Sequence, residues 1–371
     1  MINHHEIRAR SLQNKLKNIP ADALLITNKI NLLYLTGLEL SAGKLLIHKK
    51  GIHLFVDPRY YEMCLKFSPF PVLPLNTPSF ESQILSEKFS FIKSMAFESN
   101  STSYSEYQML LKKFPPVSLI PVEDIVECER MKKDESEIAV LRKAAALGSA
   151  GFDFVCSLIQ KGISENELAT ELEIFWKRQG GDGLAFSPII AFGANSSMPH
   201  YRPSSKPQEA CRLHSGNPIL IDIGVKYQHY HSDMTRVVYF GKPNPQLLEI
   251  HTIVQQAQLE ALKACRPGVD IGSVDAAART YISKQGYGDK FTHNLGHGVG
   301  LEIHEMPRLR QAEPDCRYQL QAGNVITIEP GIYLEGIGGV RIEDTIVITE
   351  DGYENLTNRD TGPVVIDSDR K

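Results

Sequence analysis

The sequence predicts an α+β protein in two parts. A smaller α/β domain spans residues 1–128, and a larger domain over 129–371 is built from a duplicated helix-plus-strand unit with pseudo-two-fold symmetry. Three observations carry the prediction. At 371 residues the chain is long for one core, so two domains are expected. Related segments recur at an offset of 106: Gly162-Ile163-Ser164-Glu165 opens a helix ending at Gly180, and Gly268-Val269-Asp270-Ile271 opens one ending at Gly286. Each copy then leads into strand-rich sequence holding two acids in apolar runs, Asp222 with Asp233 and Glu329 with Glu343.

The elements follow in order. Residues 5–17 carry the spacing of an amphipathic helix, and Ala23–Thr27 is an apolar strand-like run. Lys44–His48 and His53–Val56 flank Lys49-Lys50-Gly51 as a hairpin. Asp57-Pro58-Arg59-Tyr60 opens a helix, since proline suits a first turn. Ala96–Glu98 reads as a strand and Tyr104–Phe114 as a helix closed by Pro115-Pro116. The domain boundary falls near 120–132, with the charged run Glu129–Glu137 as a solvated connector. Long amphipathic helices, Glu135–Ile159 and Pro245–Cys265, precede the two repeat helices. Ser164 with Glu167 makes a capping box for the first repeat helix and Ser273 is the N-cap of the second, while Gly180 and Gly286 suit left-handed ends.

Composition narrows the function classes. With 23% charged and 42% hydrophobic residues and a net charge of −4, the chain has an ordinary globular make-up and no basic surface for nucleic acid. No apolar run reaches the length of a membrane span, and the polar N-terminus lacks a signal-peptide core. Cys64, Cys128, Cys156, Cys211, Cys265 and Cys316 are scattered without ligand spacing, so they are expected to be reduced thiols in a cytoplasmic protein.

The acids are the informative feature. A carboxylate left unpaired in an apolar strand is too costly to keep ionised, and a divalent cation is the economical partner for four of them. Alternation puts Thr327 and Glu329 on one face of their strand, away from Ile326 and Ile328, and places Arg341 beside Glu343, where it can orient a ligand carboxylate from behind. Asp222 and Asp233 flank a turn near Lys226-Tyr227-Gln228. Taken singly, each acid reads as solvent-facing; taken as matched pairs in two repeats, they read as a ligand set. His297, between two glycines, adds a nitrogen donor, and the whole suits one or two ions.

His293, His297 and His304 lie within one short run of a chain holding only 12 histidines, a concentration that argues for a site. Gly296, Gly298 and Gly300 oppose a helix there and favour backbone packed close around a ligand. His200, in Met198-Pro199-His200-Tyr201, reads on its own as an incidental loop histidine.

These motifs together resemble the pita-bread metallopeptidases, in the Xaa-Pro aminopeptidase and prolidase branch. The resemblance rests on Asp222 to Asp233-Met234-Thr235-Arg236, His293 to Pro307, Ile328-Glu329-Pro330-Gly331 and Arg341-Ile342-Glu343-Asp344, with Leu35-Thr36-Gly37 and Asp57-Pro58-Arg59-Tyr60 matching a creatinase-like N-terminal domain. It implies metal ligands Asp222, Asp233, His297, Glu329 and Glu343, with Asp233 and Glu343 shared by two ions, and substrate contacts at His200, His293 and His304. It implies catalytic roles for Glu329, as proton relay, and for His200 and His304, which steady the reacting carbonyl. Two divalent ions per chain follow, manganese first, with cobalt or zinc compatible. The expected substrates are peptides with proline second, cleaved after the first residue, by a homodimer or higher homo-oligomer. The rival readings are an Xaa-Pro dipeptidase, a methionine aminopeptidase-like enzyme sharing the five ligands, and a non-enzymatic interaction protein on the same scaffold.

Overall fold

The computed structural model describes residues 3–204, 206–310 and 318–369, so Cys316 lies outside the described residues. The chain divides into two compact units, one ending at Arg130 and one beginning at Met131. No helix among the described residues is long and apolar enough to cross a membrane.

The first unit is a six-stranded mixed sheet ordered Val72–Pro74, Gly51–Val56, Gly43–His48, Ala23–Ile26, Ser94–Glu98, Ser118–Val122. Gly43–His48 and Gly51–Val56 form the expected hairpin, in register from Gly43–Val56 to His48–Gly51. Phe55, Phe80, Phe89 and Phe114 fill its core. The helix Pro58–Phe67 begins with Asp57 capping the Arg59 amide. A second helix, Lys29–Thr36, was not foreseen: its run of Leu and Ile has no polar face, because six of its eight residues are buried.

In the second unit the 106-residue offset recurs in the geometry, residue for residue in the second helix of each pair and its flanking glycines. Helices Glu135–Leu158 and Glu165–Arg178 correspond to Pro245–Ala264 and Ile271–Lys284. Gly162 and Gly268 have φ of 83° and 82°, and Gly180 and Gly286 both have 86°. Isolated bridges Ser164–Arg212 and Asp270–Gln319 repeat as well. The second N-cap is therefore Asp270, which accepts from the Gly272 amide at 2.9 Å, and not Ser273; it stands where the offset from Ser164 places it.

Each helix pair covers a sheet. One sheet runs Val364–Ile366, Met234–Phe240, Pro218–Ile223, Ile189–Phe192; the other runs Glu305–Leu309, Gly296–Gly298, Val325–Ile328, Asp344–Ile348, Tyr353–Asn355. In the first, Ile219, Ile221 and Ile223 pack with Trp176, Leu168 and Leu172 of the helices, so the intervening Asp222 points to the opposite face. In the second, Ile326 and Ile328 face Val254, Ala257 and Val274, leaving Thr327 on the opposite face. The acids occupy the side of each sheet away from its helices. The turn between Asp222 and Asp233 falls at Gln228-His229, both at positive φ (47° and 69°), overlapping the turn expected from sequence at Gln228.

The charged run Glu129–Glu137 is not a solvated connector. Arg130, Lys133 and Glu137 are each only 3% exposed. Lys133 Nζ lies 2.6 Å from Glu305 Oε1, and Glu137 accepts from the Tyr230 hydroxyl at 2.9 Å. Alternating charges satisfy buried partners here, which charge counting along the chain does not show.

Candidate metal centre

The two half-sheets meet where Thr235 bridges Glu343, with the Glu343 amide donating to Thr235 O at 3.1 Å. This contact brings the matched acids to one cavity of about 600 Å³, lined by Asp222, Asp233, His297, Glu329 and Glu343 and also by His200, His293, His304 and Arg341. Asp222 comes from the strand Pro218–Ile223, Asp233 immediately precedes Met234–Phe240, Glu329 follows Val325–Ile328, and Glu343 precedes Asp344–Ile348. Each is at or next to a strand end, where backbone can turn a side chain inward without losing the ladder.

His297 is carried on a strand of three residues that only glycine neighbours allow. A Cβ on Gly296 would lie 2.0 Å from Thr327 O, and one on Gly298 would lie 2.2 Å from Met306 O. The ring Nδ1 sits 3.1 Å from Gly298 O, which assigns its proton to Nδ1 and leaves the Nε2 lone pair toward the acids. Nε2 is 3.4 Å from Glu329 Oε1 and 3.6 Å from Asp233 Oδ2. One ligand atom each from Asp233, His297 and Glu343 lie within 4.8 Å of one another.

The electrostatics identify what is missing from the protein's own groups. Burial, together with the neighbouring carboxylates, raises Asp233 and Glu329 well above the usual range and Glu343 to about 8. Burial lowers His297 to about 4, so its imidazole is neutral and a ligand in waiting at pH 7. Asp222 Oδ1 is buried without a hydrogen-bond partner. A divalent cation answers all of these conditions, and the donor set of carboxylate oxygens and one imidazole nitrogen fits such an ion.

Arg341 is the fixed cation against this cluster. Its NH2 lies 2.6 Å from Asp222 Oδ2, its Nε donates to Thr235 Oγ1 at 3.1 Å, and its NH1 donates to Tyr333 Oη at 2.8 Å. Thr235 Oγ1 in turn donates to Glu343 Oε2 at 2.6 Å, and Thr327 Oγ1 lies 3.4 Å from Glu329 Oε1. His293 Nε2 meets Tyr333 Oη at 2.9 Å. His304 packs edge-on against His297, with centroids 4.3 Å apart, while His200 is exposed at the cavity wall. Sequence reasoning overlooked Thr235 and Tyr333. Thr235 was legible from strand parity with Asp233; nothing in Gly331-Ile332-Tyr333 sets that tyrosine apart.

Fold and site together define a metallopeptidase. Residues 139–350 match metallopeptidase family M24 and residues 8–132 match the creatinase/prolidase N-terminal domain. The chain belongs to metallopeptidase family M24. It is 39% identical over 337 residues to a protein named Xaa-Pro dipeptidase from Pyrococcus horikoshii, covering 91% of this chain and 92% of that one. The solved structure of an Xaa-Pro dipeptidase from Bacillus anthracis superposes with a TM-score of 0.89 at 33% identity, covering 98% of this chain and 100% of the other. An X-Pro aminopeptidase from Thermotoga maritima gives a TM-score of 0.86 at 34% identity, covering 95% and 100%.

Proposed function

We propose that this chain is an exopeptidase that hydrolyses the bond between an N-terminal residue and a following proline, with two divalent ions held by Asp222, Asp233, His297, Glu329 and Glu343. The observation that carries the reading is the convergence of matched carboxylate pairs and one neutral imidazole on a single cavity. When bound, the ions polarise the scissile carbonyl and make a water nucleophilic near neutral pH.

The chain's own residues do the rest. Arg341 fixes Asp222, Thr235 fixes Glu343, and the Nδ1 contact to Gly298 O fixes the ring of His297. Glu329 takes the proton released by the attacking water and relays it to the departing proline nitrogen. His200 and His304 donate to the substrate carbonyl as it becomes tetrahedral. His293, held by Tyr333, shapes the wall against the substrate.

The dipeptidase reading has its own support. Arg202 and Arg308 line the same cavity, and a guanidinium there suits the terminal carboxylate of a two-residue substrate. Manganese is our first choice of ion. A homodimer is proposed on the family resemblance, and a cytoplasmic location on scattered cysteines that form no disulfide among the described residues.

Metal-reconstituted protein offered Xaa-Pro dipeptides, Xaa-Pro-Xaa tripeptides and Met-Gly-Met tests all readings side by side. Cleavage of the tripeptide supports the aminopeptidase, and cleavage of the dipeptide alone supports the dipeptidase. Preference for Met-Gly-Met, or inertness toward every proline peptide, overturns the proposal.

A further inference from the structure

Among the described residues His200 makes no hydrogen bond, so its place at the cavity wall is inherited from its neighbours. On one side Pro199 O accepts from Arg341 NH1 at 3.4 Å. On the other, Tyr201 Oη donates to Glu165 Oε2 at 2.7 Å. The Glu165 carboxylate also accepts from Asn195 Nδ2 at 3.0 Å and from the Phe192 amide at 2.7 Å, and Asn195 Nδ2 reaches Tyr201 Oη at 2.9 Å. One side chain therefore gathers both ends of the 192–201 arm.

Glu165 is only 1% exposed, and burial raises its pKa. The fold does not require a carboxylate at this position. At the equivalent position of the second repeat, 106 residues on, stands Ile271, packed in the hydrophobic core. An apolar residue is commonly the more stable occupant of such a position. Both copies present histidines to the cavity, His200 with Tyr201 from the first and His304 from the second, but only the first anchors its arm through a buried carboxylate at this position.

We propose that Glu165 is a positioning residue for the active site, acting through Tyr201 to hold His200 in register with the substrate carbonyl. This rests on the proposed role of His200 in substrate binding. A misplacement of about 1 Å in a reacting group costs up to about 100-fold in rate.

The test uses metal-loaded full-length protein carrying Glu165→Gln or Tyr201→Phe, each alone and combined with His200→Ala. The readouts are kcat and KM on an Xaa-Pro-Xaa tripeptide, together with bound metal. Tyr201→Phe removes one hydroxyl and keeps the question open to experiment if Glu165→Gln folds poorly. Each single variant is expected to lose about 10-fold in kcat/KM with metal content unchanged, and to add less than about 2-fold once His200 is alanine. Equal losses in both backgrounds, or wild-type kcat/KM in both single variants, overturn the positioning role alone. A His200→Ala variant with wild-type kinetics overturns the proposed role of His200 and this proposal with it while leaving the peptidase reading standing, and a wild-type protein inert to Xaa-Pro dipeptide and tripeptide alike overturns the functional reading and this proposal together.

Discussion

Replacing Arg341 with methionine keeps most of the side-chain volume and removes the charge that faces Asp222. Arg341 is 3% exposed and lies 2.6 Å from one oxygen of the Asp222 carboxylate, whose other oxygen is already without a partner. Removing one member of a buried ion pair costs about 3–5 kcal/mol. The hydrogen bonds to Thr235 and Tyr333 are neutral and contribute about 1 kcal/mol each. Bound cations take over the ionic part, leaving a loss of about 2 kcal/mol from the neutral bonds. The loss on Arg341→Met is thus expected to be about 6 kcal/mol in chelator, ionic and neutral parts together, and about 2 kcal/mol at saturating manganese. Urea unfolding followed by Trp176 fluorescence measures it, since the chain's one tryptophan is fully buried in the catalytic unit and reports on that unit alone. Equal losses with and without metal, or a loss below about 1 kcal/mol in chelator, refute the charge argument.

Three further outcomes follow from the same geometry. Asp233→Ala is expected to abolish both turnover and stoichiometric metal binding with little change in far-UV circular dichroism; normal metal content and turnover would remove Asp233 from the ligand set. His304→Ala should retain metal and lose about 100-fold in kcat, and a fall in bound metal parallel to the fall in rate contradicts that division of roles. In the N-terminal unit, His48 accepts from the Lys50 amide at Nδ1 and meets His53 through Nε2, and burial lowers its pKa from 6.5 to about 4. A neutral buried histidine stabilises fully above pH 6.5, and that contribution, at most about 3 kcal/mol, is lost as pH falls toward 4. His48→Gln should flatten this acid-side decline in the urea transition that Trp176 does not report, and an unchanged pH slope refutes the assignment.

The parts of this protein that were legible before folding are those where local chemistry contradicts its surroundings. Acids in runs such as Ile219-Leu220-Ile221-Asp222 are conspicuous because apolar strands do not keep carboxylates without a reason, and Gly296 and Gly298 are conspicuous because no local turn explains them. The repeat was visible through paired glycines that must take left-handed backbone. What stayed hidden depends on contacts distant in sequence. Glu165 reads as one more acid in a helix's first turn, and its burial is decided by Asn195 and Tyr201 at least thirty residues away. Lys133 belongs to a charge run whose partner, Glu305, lies 172 residues on. Tyr333 sits in an apolar strand where a tyrosine is unremarkable, and only the arrival of Arg341 and His293 gives its hydroxyl a function.

The bridge between Thr235 and Glu343 also sets a timetable for biosynthesis. Asp222 and Asp233 leave the ribosome about a hundred residues ahead of Glu329 and Glu343. At about 5–20 residues per second, the nascent first half waits some 5–20 seconds before its counterpart exists. Throughout that interval the sheet face that will become the cavity is an uncovered surface, with its acids in water and no strand opposite. A translating chain therefore completes the proposed ligand set only once Glu343 has emerged, and metal binding at that set would require the two halves to have joined.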